Sequence, residues 1–322
     1  MKALLFERFG GPEVLQYADV PEPSLEPGHI LLKTKAIGLN FADVYRRRGN
    51  YHLAGKPPFI LGYEGAGVVE RVATDVEHLQ VGDRIAFCDV PFANSELVAV
   101  PVDRAIPVPA DIAFEQAAGI LLQGMTAHYL VNDSYPVQAG DDIVVHAAAG
   151  GVGQILIQLA KSKGARVIGL TSSDAKKTVA LKAGAVVVFG YGEEWAQEVV
   201  RFTEGKQGAD AVYDSVGSTL MDSFAAARTK GTVVFYGMAG GDPPHVDPRM
   251  LMDTSKTLTG GDLWNHVTTL ANRIERAEAL FQALRDGIIQ MGGITSFPLK
   301  DGAEAHRLIE SRQSTGKILL IP

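Results

Sequence analysis

"VVHAAAGGVGQ" places Ala148, Gly150 and Gly153 at the three positions of a G-x-G-x-x-G turn, with alanine in the first. Such a turn lets the backbone approach a pyrophosphate, whose charge then faces a helix N-terminus. A glycine pattern alone could be a packing device. Here it follows a strand-like run, opens a helix-like run and starts a βαβ series, the context of a dinucleotide site. NAD-binding folds usually carry an acid about 20 residues further on to hold the ribose hydroxyls. Counted from Gly153, that place falls near Ser172 in "GLTSSDAKK", with Ser173, Lys176 and Lys177 beyond it. Hydroxyls and a lysine suit a 2′-phosphate, which a carboxylate would repel, so the expected cofactor is NADPH. The plainer roles here are a helix cap at Ser173 or Asp174 and a solvated lysine pair, and Asp174 is the residue that argues against NADPH.

"LGYEGAG" poses a second question, because it holds Glu64 between glycines behind Tyr63. An acid in a tight turn is often there to hold something, and a metal ion is the first suspect. Cys88 is the single cysteine of the chain, which excludes an internal disulfide and any zinc site built from several cysteines. In "NFADVY", Asn40 and Asp43 are spaced to share a helix face, near Tyr45. They read either as the polar lining of a cleft or as an ordinary N-cap. Arg46, Arg47 and Arg48 read as a solvated helix face, and His128 and His146, which lack metal spacing, as satisfied structural histidines.

Two kinds of sequence carry these groups. The first 120 or so residues alternate short apolar runs ("HILLKTKAIGL", "AGVVERV") with proline and glycine breaks, the pattern of an antiparallel, barrel-like β domain. "FADVYRRRGNY" is a short helix within it. From about Asp141, strand-like and helix-like runs alternate: "DIVVHAAAGG", "GVGQILIQLAKSKG", "ARVIGLTS", "DAKKTVALKAG", "AVVVFGY", a helix around Trp195 to Phe202, "GADAVYDSVG", a helix through "FAAARTK" and "GTVVFYGMAG". Repeats of this length predict a doubly wound parallel sheet, and "GKILLIP" predicts a closing strand. The expected fold is therefore α/β, with domains at 1–124 plus 265–322 and at 125–264.

At 322 residues the chain is long enough for two domains. The formal charge of −7 argues against nucleic acid as the main partner. No stretch approaches a membrane span and the opening residues lack a signal-peptide run, so the expectation is a soluble, cytoplasmic protein.

The order of β domain, dinucleotide domain and return segment resembles the medium-chain dehydrogenase/reductase superfamily. "GGPEVLQ", "AIGLNFADVY", "HAAAGGVG", "YDSVG" and "ESRQSTGKILLIP" resemble its zinc-free NADPH:quinone oxidoreductase branch, which includes zeta-crystallin. The resemblance implies a GroES-like β-barrel catalytic domain beside a Rossmann domain. In the superfamily's zinc-dependent alcohol dehydrogenases a cysteine, a histidine and a second cysteine hold the catalytic zinc. Those places carry Asn40, Tyr63 and Leu122 here, which makes Glu64 the remnant of a metal site and the expected metal none. Without a Lewis acid to stabilise an alkoxide, the substrate must accept hydride readily, as a quinone or an enone does.

The same resemblance sets Asn40 beside the nicotinamide, with Asp43, Tyr45, Tyr51 and Tyr63 as catalytic candidates and Tyr51 aligned with a proton donor of related enoyl reductases. On the cofactor side it implies Thr126, Ala149, Gly150, Gly151, Val152, Gly153, Ser172, Ser173, Lys176, Tyr191, Ser215, Tyr236, Gly237, Met238 and Arg312. Asp262-Leu263-Trp264 departs from the arginine-proline segment of some quinone reductases. Family members commonly dimerise through the cofactor domain, and "GTVVFYG" as an edge strand would suit a homodimer. The alternatives are a zinc-dependent alcohol dehydrogenase, or a non-catalytic NADPH-binding crystallin or RNA-binding role.

Overall fold

The computed structural model describes residues 1–322, which divide into two compact units. One comprises 1–122, 267–282 and 293–322; the other comprises 123–266 and 283–292.

The first unit is a β domain organised by one long strand, His29–Leu39. That strand pairs antiparallel with Glu64–Val72, Leu97–Pro101 and Lys317–Ile321. Glu64–Val72 continues to Arg84–Cys88, and Ile294–Pro298 adds a parallel pair on Lys317–Ile321. Alternate residues of these strands bury Ile30, Leu32, Ile37, Leu39, Val69, Ile85, Phe87, Ile318 and Leu320 in one core, as the period of two requires. Gly67 is needed where two strands crowd, since a Cβ there would collide with the Lys33 carbonyl. The predicted short helix runs Phe41–Arg48 directly off the long strand and ends at Gly49 in the left-handed conformation.

The second unit is a six-stranded parallel sheet. Its spatial order is Val187–Gly190, Arg166–Thr171, Asp142–Val145, Ala209–Asp214, Ala227–Phe235, Thr257–Gly260. In chain order this is 3-2-1-4-5-6, the Rossmann arrangement. Its switch point lies between the first and fourth strands, and ligands of such sheets bind outside the carboxyl ends there. Both of those strands are buried throughout, because parallel sheets are covered on both faces.

Two expectations need correction. The helix through "FAAARTK" stops at Ala226, and Ala227–Phe235 is strand, because Arg228 turns back to pair with the Asp210 carboxylate. That strand is also interior: Thr257–Gly260 pairs beyond it and forms the edge. No helix is long and apolar enough to cross a membrane.

Candidate active site

Where the long strand of the first unit hands over to helix Phe41–Arg48, Asn40 stands in extended conformation at the N-cap. Its backbone N–H donates to Asp43 Oδ2 at 3.0 Å. Its side-chain Nδ2 donates to Glu64 Oε2 at 2.8 Å and to the Gly38 carbonyl at 3.3 Å. Lys317 Nζ donates to Asn40 Oδ1 at 2.9 Å and to Glu64 Oε2 at 2.7 Å. The Leu122 N–H completes the carboxylate by donating to Oε1 at 2.7 Å. Glu64 is wholly buried and Lys317 is 3 % exposed. Strand pairing explains the meeting: Gly65 opposes Ile37 and Ile318 opposes Leu39, so both neighbouring strands begin where the long one ends. Gly38 makes room, since a Cβ there would strike the Glu64 carboxylate.

The three-arginine run is not a solvated face. Arg46 and Arg47 are wholly buried, and only Arg48 reaches solvent. Arg46 pairs with Asp43 at 3.4 Å, donates to the His52 carbonyl at 3.1 Å and lies 3.6 Å over the Tyr63 ring and 5.0 Å from the Tyr51 ring. Arg47 donates to the Gly10 carbonyl at 3.0 Å and pairs with Glu310, as does Arg48. A long planar guanidinium is stable inside when carboxylates, carbonyls and ring faces meet it together. Burial raises the Asp43 carboxyl above the ordinary carboxylate range, and the Arg46 charge opposes that shift. Tyr45 packs between Phe41 and Tyr51. The Tyr63 hydroxyl accepts from the Ala54 N–H at 2.9 Å, so this ring braces Arg46 while its oxygen is held by backbone.

In the second unit the glycine turn lies at the carboxyl end of Asp142–Val145. Ala147 adopts a left-handed φ of 46°, Gly150 is the N-cap, and the helix Gly151–Ser162 follows. Gly153 allows close packing, since its Cβ would be 2.5 Å from the Ala147 carbonyl, and a Cβ on Gly151 would likewise collide with Gln123. At Gly150 a Cβ would meet only the Ala147 oxygen, at 3.1 Å, and the backbone of Gly150–Val152 is half-buried rather than enclosed. Ala148, at the first position, donates its N–H to the Leu170 carbonyl on the neighbouring strand.

A hydrogen-bonded chain runs from this turn into the core. The Ala147 N–H donates to the Tyr191 hydroxyl at 2.9 Å, and that hydroxyl lies 3.4 Å from His146 Nδ1. His146 Nε2 lies 3.1 Å from Ser223 Oγ, which donates to Asp214 Oδ2 at 2.7 Å. Serine has one hydrogen and spends it on the carboxylate, so the Nε2–H of His146 must donate to Ser223 and Nδ1 is the acceptor. Burial lowers His146 from its ordinary value and keeps it neutral at pH 7. Burial alone would raise Asp214; the carboxyl is nevertheless held low, with hydrogen bonds donated by Gly217, Ser223 and Val216.

The remaining expected cofactor residues divide by place. Ser172 and Ser173 are exposed at the start of helix Asp174–Ala183, Ser173 as its N-cap, with Lys176 half-buried beside them. Asp174 pairs with Lys177 at 2.9 Å. Ser215 and the segment Tyr236–Met238 form two turns zipped by Tyr236 N–H to the Asp214 carbonyl and Ala239 N–H to that of Ser215. A Cβ on Gly237 would approach the Ser215 oxygen to 3.1 Å. Thr126 is buried within helix Phe114–Tyr129. Arg312 is exposed at a left-handed φ of 59° after helix Gly302–Glu310 in the first unit. Asp262 caps a short turn by accepting from the Trp264 N–H. No three His, Cys, Asp or Glu side chains stand together in metal-holding geometry.

Residues 26–135 match the family model described as alcohol dehydrogenase GroES-like domain, and residues 151–280 match zinc-binding dehydrogenase. The quinone oxidoreductase of Pseudomonas aeruginosa is 37% identical over 100% of this chain and 99% of its own. The chain belongs to the quinone oxidoreductase branch of the medium-chain dehydrogenase/reductase superfamily. Within that branch, the quinone oxidoreductase of Escherichia coli crystallised with NADPH superposes with a TM-score of 0.95 at 36% identity, covering 100% of both chains. A 2-haloacrylate reductase from a Burkholderia species is 36% identical over 99% of this chain and 98% of its own.

Two parts of this quinone oxidoreductase-like site escape sequence reasoning. Lys317 is hidden in "GKILLIP", where only its place at the head of an apolar strand marks it. Asp214 and Ser223 also go unmarked, although an acid directly after the apolar run of "AVYDSVG" is a usable signal.

Proposed function

We propose that this chain is an NADPH-dependent reductase that passes hydride to a quinone or an α,β-unsaturated carbonyl without zinc. The observation that carries the reading is the open glycine turn at the switch point of a 3-2-1-4-5-6 sheet, in a chain similar throughout its length to an NADPH-bound quinone oxidoreductase. The residues fit the cofactor: half-buried Gly151 and Val152, in the turn Ala149–Gly153, offer a pyrophosphate the first amides of a helix, and exposed Ser172 and Ser173 with Lys176 suit a 2′-phosphate. When bound, NADPH supplies the hydride. Thr126, Tyr191, Ser215, Tyr236, Gly237, Met238 and Arg312 complete the cofactor contacts in this reading.

On the substrate side, Asn40 is the fixed polar group, held by Asp43, Glu64 and Lys317. Tyr51, half-buried against Tyr45, is the proton donor to the developing quinol or enolate. Tyr63 and Asp43 hold Arg46 and the head of the helix. The zinc-free reading is supported by the residues at the ligand places: an amide, a phenol bonded to backbone, and a leucine whose N–H serves Glu64. The Glu64 carboxylate already faces the Lys317 ammonium. The first unit is the catalytic domain and the second the dinucleotide domain, in a cytoplasmic homodimer.

The test is cofactor oxidation by purified protein, NADPH beside NADH, with a quinone and an enone, with and without a chelator. NADPH-selective, chelator-insensitive turnover is expected. Alcohol oxidation stopped by the chelator would overturn the zinc-free reading, and tight NADPH binding without turnover would favour a non-catalytic role.

A further inference from the structure

We infer that Lys317 and Glu64 are positioning residues that lock the Asn40 carboxamide in one orientation, so that any contact Asn40 makes to a ligand is as an acceptor. A primary amide has nearly the same shape with its oxygen and nitrogen exchanged, so packing alone does not choose between them. Here a cation and an anion choose. Lys317 only donates, so it faces Oδ1; ionised Glu64 only accepts, so it faces Nδ2. A flip would set NH2 against ammonium and oxygen against carboxylate, replacing two attractions with two repulsions. The backbone of Asn40 is held as well, by the Asp43 carboxylate, so neither end of the residue turns independently.

The burial of the pair points the same way. An ion pair this deep costs desolvation of both charges and is a poor source of stability compared with apolar packing of the same volume. What it offers is specificity of orientation. Both hydrogens of the Asn40 amide are engaged, by Glu64 and by the Gly38 carbonyl. Asn40 therefore has no hydrogen to give a quinone or enone oxygen, and cannot serve as the electrophile that polarises it. Its partner must be a donor, such as a hydroxyl or carboxamide N–H of the cofactor. This rests on the reading that Asn40 stands on the reacting side of an NADPH reductase.

The experiment compares Lys317→Met/Glu64→Gln with wild type and Lys317→Arg. The double variant removes both charges together, so no lone buried charge remains to unfold it. Expected is a melting temperature close to wild type with kcat/KM for NADPH lowered on the order of 10- to 100-fold, the scale of a misplaced positioning group. KM for the quinone should stay near the wild-type value, and Lys317→Arg should restore part of the loss. On protein labelled with nitrogen-15 asparagine, the Asn40 side-chain NH2 should exchange slowly with solvent in wild type and faster in the double variant. Unchanged exchange, with kcat/KM for NADPH within about twofold of wild type, would overturn the lock; a lowered melting temperature with those two readouts intact would reduce the pair to a structural role. If wild type oxidises no NADPH with any acceptor, the reductase reading fails, and the amide exchange still judges the lock.

Discussion

Asp214→Asn should reverse the hydrogens that link Asp214, Ser223, His146 and Tyr191 beneath the glycine turn. The carboxylate accepts four hydrogen bonds: from the Val216 and Gly217 N–H groups at 2.8 and 3.0 Å, and from the Thr219 and Ser223 hydroxyls at 2.9 and 2.7 Å. Backbone donors cannot reverse, so the new amide keeps its oxygen toward Val216 and Gly217 and turns its NH2 toward the hydroxyls. Ser223 must then accept from the amide and give its own hydrogen to His146 Nε2. The imidazole moves its proton to Nδ1, and the Tyr191 hydroxyl accepts from the ring as well as from Ala147. Each of four bonds falls from about 1.5–3 kcal/mol for a charged acceptor to about 0.5–1.5 kcal/mol for a neutral one. Relief from burying a charge offsets part of that loss, leaving a net destabilisation of about 2 kcal/mol. Long-range nitrogen–proton NMR of the imidazole, assigned against His146→Gln, reads the tautomer, and urea unfolding reads the stability. A His146 that still carries its proton on Nε2, or a stability changed by less than about 0.5 kcal/mol, a surface-substitution effect, would refute this donor order.

Further outcomes follow from other parts of the structure. His306 is wholly buried with neither ring nitrogen bonded, and burial, then the Arg47 charge, lowers it to about 3. An unfolded histidine titrates near 6.5, so the unfolded chain binds the extra proton between those values. The stability that the neutral ring permits is intact above pH 6.5 and lost as pH falls, at about 1.4 kcal/mol per unit. Unfolding measured from pH 7 to pH 5 should therefore be steeper for wild type than for His306→Leu, and parallel curves would contradict it. Gly150→Ala, whose Cβ meets only one carbonyl, should keep the fold and weaken NADPH binding about tenfold by fluorescence titration. Gly153→Ala should lose stability as well, because its Cβ meets backbone. Glu310→Gln should cost about 3 kcal/mol in urea unfolding by leaving the Arg47 guanidinium without its anion; no loss would mean that the Gly10 carbonyl suffices.

The order of elements is legible in the sequence because period and punctuation are local properties. The βαβ rhythm after Asp141, the glycine turn and the strand-to-helix step at Asn40 all lie within short windows of sequence, and the structure has each of them. Groups whose meaning depends on distant partners are not legible. Arg46 and Arg47 look like surface because nothing nearby reveals Tyr63 and Glu310 as their partners. The edge of the parallel sheet is easily misjudged because "TLTG" is four residues with little apolar signal. Glu64 stands out as an acid in need of a cation, and a metal is the suspect that its neighbours suggest, whereas its cation is the ammonium of Lys317.

That ammonium lies 253 residues from the carboxylate it neutralises. At a synthesis rate of about 5–20 residues per second, Glu64 leaves the ribosome on the order of 10–50 s before Lys317 is made. For that interval the nascent β domain holds its amide and its acid without the charge that orders them. Leu97–Pro101 already covers the start of that side of the long strand His29–Leu39, so only its end, Ile37–Leu39, must wait for Lys317–Ile321. The reactive pocket is thus dated to the last strand made, and a partly synthesised chain can fold its dinucleotide sheet well before it owns a site able to use it.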